Sequence, residues 1–266
     1  MSFFQKWKAG PPVPRWACAI VSAMAILSGE AAGDSTAVPA DRIPARVILL
    51  HGLGRTSRSM APMAAYLAAH GFTVINHAYP STRQPVETLS QGLVPTIAGC
   101  LKADPRAPIH VVTHSLGGIV LRHYLQTHDL PTGSRVVMLS PPNQGSEIAD
   151  WLQGFWPYRR IMGPAGQQLG TAADALPRRL GPIALPVGII TGDRSLEPWF
   201  SVRIPGPDDG KVAVARACLA GMTDFLVVHR SHGFIMRAPE VLQQTLFFLV
   251  HGAFRQGGAA STLNPN

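Results

Sequence analysis

"VVTHSLGGIV", residues 111–120, is an apolar run that breaks at a serine, preceded by a histidine and followed closely by two glycines. The residues before Ser115 suit a buried strand, and those after it suit a helix. A strand that turns sharply into a helix leaves the side chain at the turn outside the strand's carboxyl end, aimed at incoming molecules. Gly117 and Gly118 supply the small neighbours such a turn needs. Leu116 N–H, at the first helical position, is left unpaired beside the hydroxyl, and the helix N-terminus adds positive partial charge. A serine in this setting can also be a simple helix N-cap. Thr113 stands where the usual G-x-S-x-G pattern has its first glycine.

The rest of the chain shows what Ser115 sits in. "ARVILLHG" (45–52), "FTVINHAYP" (72–80), "IHVVTHS" (109–115), "RVVMLSPP" (135–142), "VGIITGD" (187–193) and "DFLVVHR" (224–230) read as strands. Such continuous Val/Ile/Leu runs suit a parallel sheet covered on both faces. Helices are expected at residues 59–70, 85–102, 116–128 and 239–251, the last with Val241, Leu242, Leu246, Leu249 and Val250 at helical spacing behind Pro239. Alternating strands and helices imply an α/β fold with a doubly wound, mostly parallel sheet. Residues 145–186 break the rhythm with aromatics, glycines and prolines. The stretch is too long for an ordinary connection, so it is expected as an insertion over the sheet's carboxyl edge, where such folds bind ligands.

A chain of 266 residues that is 46% hydrophobic and 14% charged fits one domain of this size. No apolar stretch is long enough for a convincing membrane span. A net charge of +8 invites a nucleic-acid reading, but the Lys and Arg residues are scattered through the chain without a basic stripe, and no recognition motif accompanies them. Attraction to an anionic membrane or substrate surface stays open. Lys6, Lys8 and Arg15 precede the apolar "WACAIVSAMAIL", and "SGEAAGDS" follows. That is the grammar of a secretory signal, so residues 1–41 are expected as a signal segment and linker, with export to the periplasm or medium. A retained membrane anchor or a cytoplasmic extension are the alternatives. Residues 255–266 are expected as a flexible tail. Cys100 and Cys218 could form one disulfide in an oxidising compartment, but two buried thiols are expected, since nothing in their spacing argues for a bridge or a metal site.

A nucleophilic serine needs a base, and the base needs an orienting carboxylate. His232, in "SHGFIM", lies after the last strand and just before the terminal helix, the right address for the base. His229 falls within the strand and reads as a packed histidine. For the acid, "GPDDGKV" (206–212) offers Asp209 and then Asp208, with Asp193 as a third choice; each is also an ordinary turn residue. A second oxyanion donor is expected after the first strand, in "HGLGRTS" (51–57), with Leu53 N–H pairing Leu116 N–H.

"VILLHGLG", "HVVTHSLGGIV", "SPPNQGSEIADWL", "PGPDDGKV" and "SHGFIM", in that order, resemble the landmarks of the α/β-hydrolase superfamily, in particular its bacterial serine lipase and esterase branch. The resemblance runs from about Arg46 to Phe254. It implies a hydrolase domain over 42–254, with residues 145–186 as a cap or lid after the sixth core strand. "PPNQGSEIAD" is similar to the Pro-His-x-Gly-Ser segment of many lipases, with Asn143 where His is usual. "DDGKV" resembles the segment carrying the acid, and that match selects Asp209. The implied chemistry is ester hydrolysis through an acyl-enzyme by Ser115, His232 and Asp209, with no metal or organic cofactor. The implied partner is a small-molecule or lipid ester, and no nucleic acid. Acyl transfer or amide cleavage would use the same three residues, and a catalytically silent binding protein would keep the scaffold alone. Trp151, Leu152, Phe155, Trp156 and Tyr158 give the insertion an apolar set that either lines an acyl pocket, forms a lid, or packs the cap onto the sheet.

Overall fold

The computed structural model describes residues 45–255. The signal-like segment, Cys18 and nearly all of the C-terminal tail lie outside the described residues. Among the described residues, no helix is long and apolar enough to cross a membrane.

Six strands form one sheet: β1 (Arg46–Leu50), β2 (Thr73–His77), β3 (Ile109–His114), β4 (Val136–Leu139), β5 (Val187–Gly192) and β6 (Asp224–Val228). Their spatial order is β2-β1-β3-β4-β5-β6, and every pairing is parallel. The alternation of the pleat explains why the central strands are so largely apolar. Ile48, Leu50, Val111, Val136, Met138 and Ile189 face one apolar cluster; Val47, Leu49, Val112, Val137, Leu139 and Ile190 face another. Each face is covered by helices, so neither set of side chains can be polar. On the first face lie α2 (Val86–Gln91), α3 (Leu93–Ala103) and α4 (Leu116–Tyr124), through Leu89, Ile97 and Ile119 among others. On the second lie α1 (Ala61–Ala69) and α10 (Pro239–His251), through Met63, Leu67, Val241 and Phe248.

The topology selects where a site can form. After β1 the chain goes to β2 on one side, and after β2 it crosses to β3 on the other. The loops leaving β1 and β3 therefore diverge, and the crevice between them is the switch point at which open α/β sheets bind ligands. Those loops are the ones carrying Leu53 and Ser115.

The segment 145–186 is an excursion from the sheet, as expected, and it is helical: α5 (Glu147–Leu152), α6 (Trp156–Gln167) and α7 (Leu176–Arg179). In the described sheet it follows the fourth strand, β4, which takes the place that the resemblance numbers as sixth. Arg122, 2% exposed, holds it at both ends. From α4, its guanidinium donates to Asn143 O before the insertion and to Leu180 O within its last turn, at 3.0 and 2.6 Å. Burial lowers the Arg122 pKa to about 10, still charged at neutral pH. Two short helices complete the carboxyl edge, α8 (Pro198–Ser201) and α9 (Val214–Ala217).

His110, within β3, accepts a hydrogen bond at Nδ1 from Arg135 N–H at 3.0 Å and is held neutral by burial, its pKa lowered to about 4. In the unfolded chain the ring takes a proton near pH 6.5, so between those values the unfolded state binds more protons. The stability this provides is complete above about pH 6.5 and is lost as pH falls toward 4, at up to about 1.4 kcal/mol per pH unit. His110→Asn, which keeps an acceptor for Arg135 N–H, should flatten the fall of the urea midpoint between pH 6.5 and 4.5. An unchanged slope would place the acid sensitivity elsewhere.

Candidate active site

Ser115 links β3 to α4 with φ 51° and ψ −120°, a left-handed conformation that costs a non-glycine residue strain of order 1–3 kcal/mol. Two packing contacts hold it there. A Cβ at Gly117 would lie 2.8 Å from Leu50 O, so only glycine lets α4 come this close to the end of β1. Ser115 N–H donates to Leu139 O at 2.9 Å, tying the turn to β4. Thr113, at the position of the pattern's first glycine, is fully buried in the sheet between Leu50 and Met138, so its side chain is accommodated.

The loop after β1 abuts the serine. A Cβ at Gly52 would fall 3.2 Å from Ser115 Cβ and 2.7 Å from His114 Nδ1. Leu53 N–H has no backbone partner among the described residues, and Leu116 N–H, at the first position of α4, has none within the helix. The loop is braced from behind by Tyr79, which stacks on His51 at 4.1 Å between ring centroids and donates its hydroxyl proton to His51 O. Burial raises the Tyr79 pKa, so the hydroxyl remains a donor.

His232 and Asp209 meet as expected. His232 Nδ1 lies 2.8 Å from Asp209 Oδ2, and His232 N–H donates to Asp209 O at 2.9 Å. Asp209 Oδ1 accepts from Lys211 N–H at 3.0 Å and Val212 N–H at 2.9 Å, a tight turn that fixes the carboxylate. Asp209 is 0% exposed, whereas Ser115 and His232 are 8% and 9% exposed, so only the latter two touch solvent. Both rival acids are engaged elsewhere. Asp208 Oδ1 accepts from Ser201 Oγ and Gly210 N–H. Asp193 Oδ1 pairs with His229 Nδ1 at 2.9 Å. That corrects the expectation for His229: β6 ends at Val228, so His229 is not packed in the strand but exposed and hydrogen-bonded to Asp193 at the surface.

The alpha/beta hydrolase family model matches residues 47–255. The chain belongs to the alpha/beta hydrolase family. No curated protein matches the sequence. Among solved structures, the chain is similar to the mature form of the Bacillus licheniformis lipase BlEst2, with TM-score 0.63 and 18% identity over 80% of this chain and 94% of that one. It is also similar to phospholipase PlaB from Legionella pneumophila, with TM-score 0.60 and 15% identity over 78% of this chain and 59% of that one. A monoacylglycerol lipase from Paleococcus ferrophilus gives TM-score 0.52 and 19% identity over 78% of this chain and 94% of that one. At these identities the likeness is one of fold.

One residue of this hydrolase-family site carried no assigned role in the sequence. His114, 1% exposed, places Nε2 3.0 Å from His232 O and its ring 4.9 Å from the His232 ring. A carbonyl only accepts, so Nε2 carries the proton, and Nδ1 is buried without a partner. Burial first, and the neighbouring His232 second, lower the His114 pKa well below its ordinary value, which keeps the ring neutral. His114 thus fastens the His232 loop to the residue preceding Ser115.

The lipase-like segment after β4 braces the acid. Ser146 Oγ donates to Lys211 O at 2.7 Å, and Asn143 Nδ2 donates to Ala217 O at 2.8 Å. Asn143 is a buried clamp between the end of β4 and α9, which follows the acid-bearing loop. Among the described residues no group of His, Cys, Asp and Glu is arranged to hold a metal ion, and Cys100 and Cys218 are each buried thiols.

The insertion departs from simple core packing. Its inner contacts come from small and aliphatic residues, Ile148, Ala149, Ala165 and Leu169, while Trp151, Phe155 and Trp156 are exposed and Leu152 and Tyr158 half-buried. α6 lies directly over the loop after β1. A Cβ at Gly166 would fall 3.3 Å from Leu53 Cδ2, and one at Gly54 3.4 Å from Met162 Sδ.

Proposed function

We propose that the protein hydrolyses carboxylic esters through an acyl-enzyme, with Ser115 as nucleophile, His232 as general base and acid, and Asp209 as the carboxylate that orients His232. The observation that carries the reading is the buried His232–Asp209 pair fastened, through His114, beside a serine in a strained strand-to-helix turn.

Ser115 Oγ attacks the ester carbonyl carbon while His232 Nε2 takes its proton. Asp209 Oδ2 accepts from Nδ1–H, which fixes the tautomer and stabilises the imidazolium as it forms. The carbonyl oxygen, now negative, receives Leu53 N–H and Leu116 N–H, each worth on the order of 10²-fold to 10³-fold in rate. His232 then passes the proton to the leaving alcohol. Water, deprotonated by the same ring, attacks the acyl carbon, and its proton returns to Ser115 as the acid departs. The apolar side chains of Leu53 and Met162 over the crevice suit an acyl group on the ester.

The direct test is a fluorophosphonate probe followed by intact mass. Wild type should gain one probe adduct per chain, in detergent as well as in buffer, and Ser115→Ala none. Absence of the adduct from folded wild type in both conditions would leave Ser115 a turn residue and favour a binding protein on this scaffold.

A further inference from the structure

The outer side of α6 carries a second feature, separate from Ser115. A cleft of about 810 Å³ opens between α6 and the loop before α2, and it is lined by Arg83, Arg159 and Arg160 together with Gln167. The ion pairs of the described residues all use other side chains, and none of these three guanidiniums has a hydrogen-bond partner among them. Gln167 Nε2 is buried and makes no hydrogen bond. No carboxylate lines the cleft. Three cations lining one space, with no anion of the protein to answer them and the unpartnered amide of Gln167 beside them, describe a site for an anion with several oxygens.

The rim says which anion. Trp156 is 73% exposed and Ile161 63%, and both line the same cleft. A soluble phosphate needs no apolar collar, whereas tryptophan beside arginine is the composition that settles at the boundary of lipid headgroups and acyl chains. The net charge of +8 acts in the same direction at long range. We propose that this face docks on an anionic phospholipid surface, with the arginines on headgroup phosphates and Trp156 and Ile161 in the interface. α6 also packs on Leu53 at Gly166, so docking would bring the membrane close to the loop after β1.

The docking does not depend on ester hydrolysis, and the experiment is therefore run in the Ser115→Ala background, where lipid is not consumed. Partition of that protein is measured by co-sedimentation with vesicles of phosphatidylcholine alone and with a third of the lipid replaced by phosphatidylglycerol. We expect binding at least tenfold tighter to the anionic vesicles. Arg83→Gln/Arg159→Gln/Arg160→Gln should weaken it by roughly a hundredfold, about fivefold per arginine, with an unchanged melting temperature. Each single substitution gives its own fivefold step should the triple variant fold poorly. Removing the same charge elsewhere, by Arg58→Gln/Lys102→Gln/Arg106→Gln, should cost far less, and Trp156→Ala should weaken binding to both kinds of vesicle. Equal losses in the two triple variants, or no preference for anionic vesicles, would overturn the proposal. So would competition by a few millimolar inorganic phosphate, which would make the cleft a site for a soluble anion.

Discussion

Ser115→Ala is expected to lower kcat/KM for a short p-nitrophenyl ester by on the order of 10⁵-fold to 10⁶-fold, with little change in melting temperature. The fold should tolerate the change because alanine meets the same φ of 51° that serine already occupies, and Ser115 N–H keeps its bond to Leu139 O. Only the hydroxyl is lost. The residual rate would come from Leu53 and Leu116 N–H polarising the carbonyl for attack by water. His232→Ala should cost about as much. Adding it to Ser115→Ala should cost almost nothing more, since the two act as one unit and a base without its nucleophile has nothing to deprotonate. Steady-state rates of the two single variants and the double variant check this. Multiplying losses, or a Ser115→Ala protein within tenfold of wild type, would mean that the ester chemistry runs through other groups.

The strands were legible because both faces of the sheet are covered, which forces uninterrupted apolar runs such as Val47–Leu50 and Val136–Leu139. The strand-to-helix turn at Ser115 and the pairing of His232 with Asp209 were legible for a related reason: these residues follow strand ends, and strand ends can be counted along a chain. Helix 85–102 is broken in the structure into α2 and α3 at Gly92, and the signal was present, since Pro95 cannot donate to the Gln91 carbonyl. The insertion was legible only as an interruption. α6 is kinked at Gly163, whose φ of 65° and ψ of −164° are not helical, so Gly163-Pro164 interrupts the helix as propensity argues, and a Cβ at Gly163 would collide with Thr82 O. The exposure of Trp151, Phe155 and Trp156 could not be read either, because apolar residues are assigned inward by default and nothing in their spacing marks an outer face. His114 was hidden differently. Its partner is a backbone carbonyl 118 residues away, and a carbonyl is present at every position.

The acid is where the sequence left three candidates, and the geometry turns them into a quantitative contrast. Asp209→Asn should lower kcat by about 10⁴-fold. In the variant, the amide oxygen can still accept from Lys211 N–H and Val212 N–H, which leaves the NH₂ group facing His232 Nδ1. That nitrogen must then accept rather than donate, so the ring proton moves to Nε2, and a protonated Nε2 cannot take the proton of Ser115. Asp208→Asn should cost less than about tenfold, because an amide oxygen still accepts from Ser201 Oγ and Gly210 N–H and no change reaches His232 directly. Asp193→Asn alters a surface contact whose histidine side chain is 75% exposed, and it should leave kcat within about threefold of wild type. The three kcat values, measured on proteins of matched melting temperature, decide the assignment. A loss in Asp193→Asn or Asp208→Asn that equals or exceeds the loss in Asp209→Asn would move the orienting carboxylate away from Asp209, and with it the tautomer on which the proposed proton transfer depends.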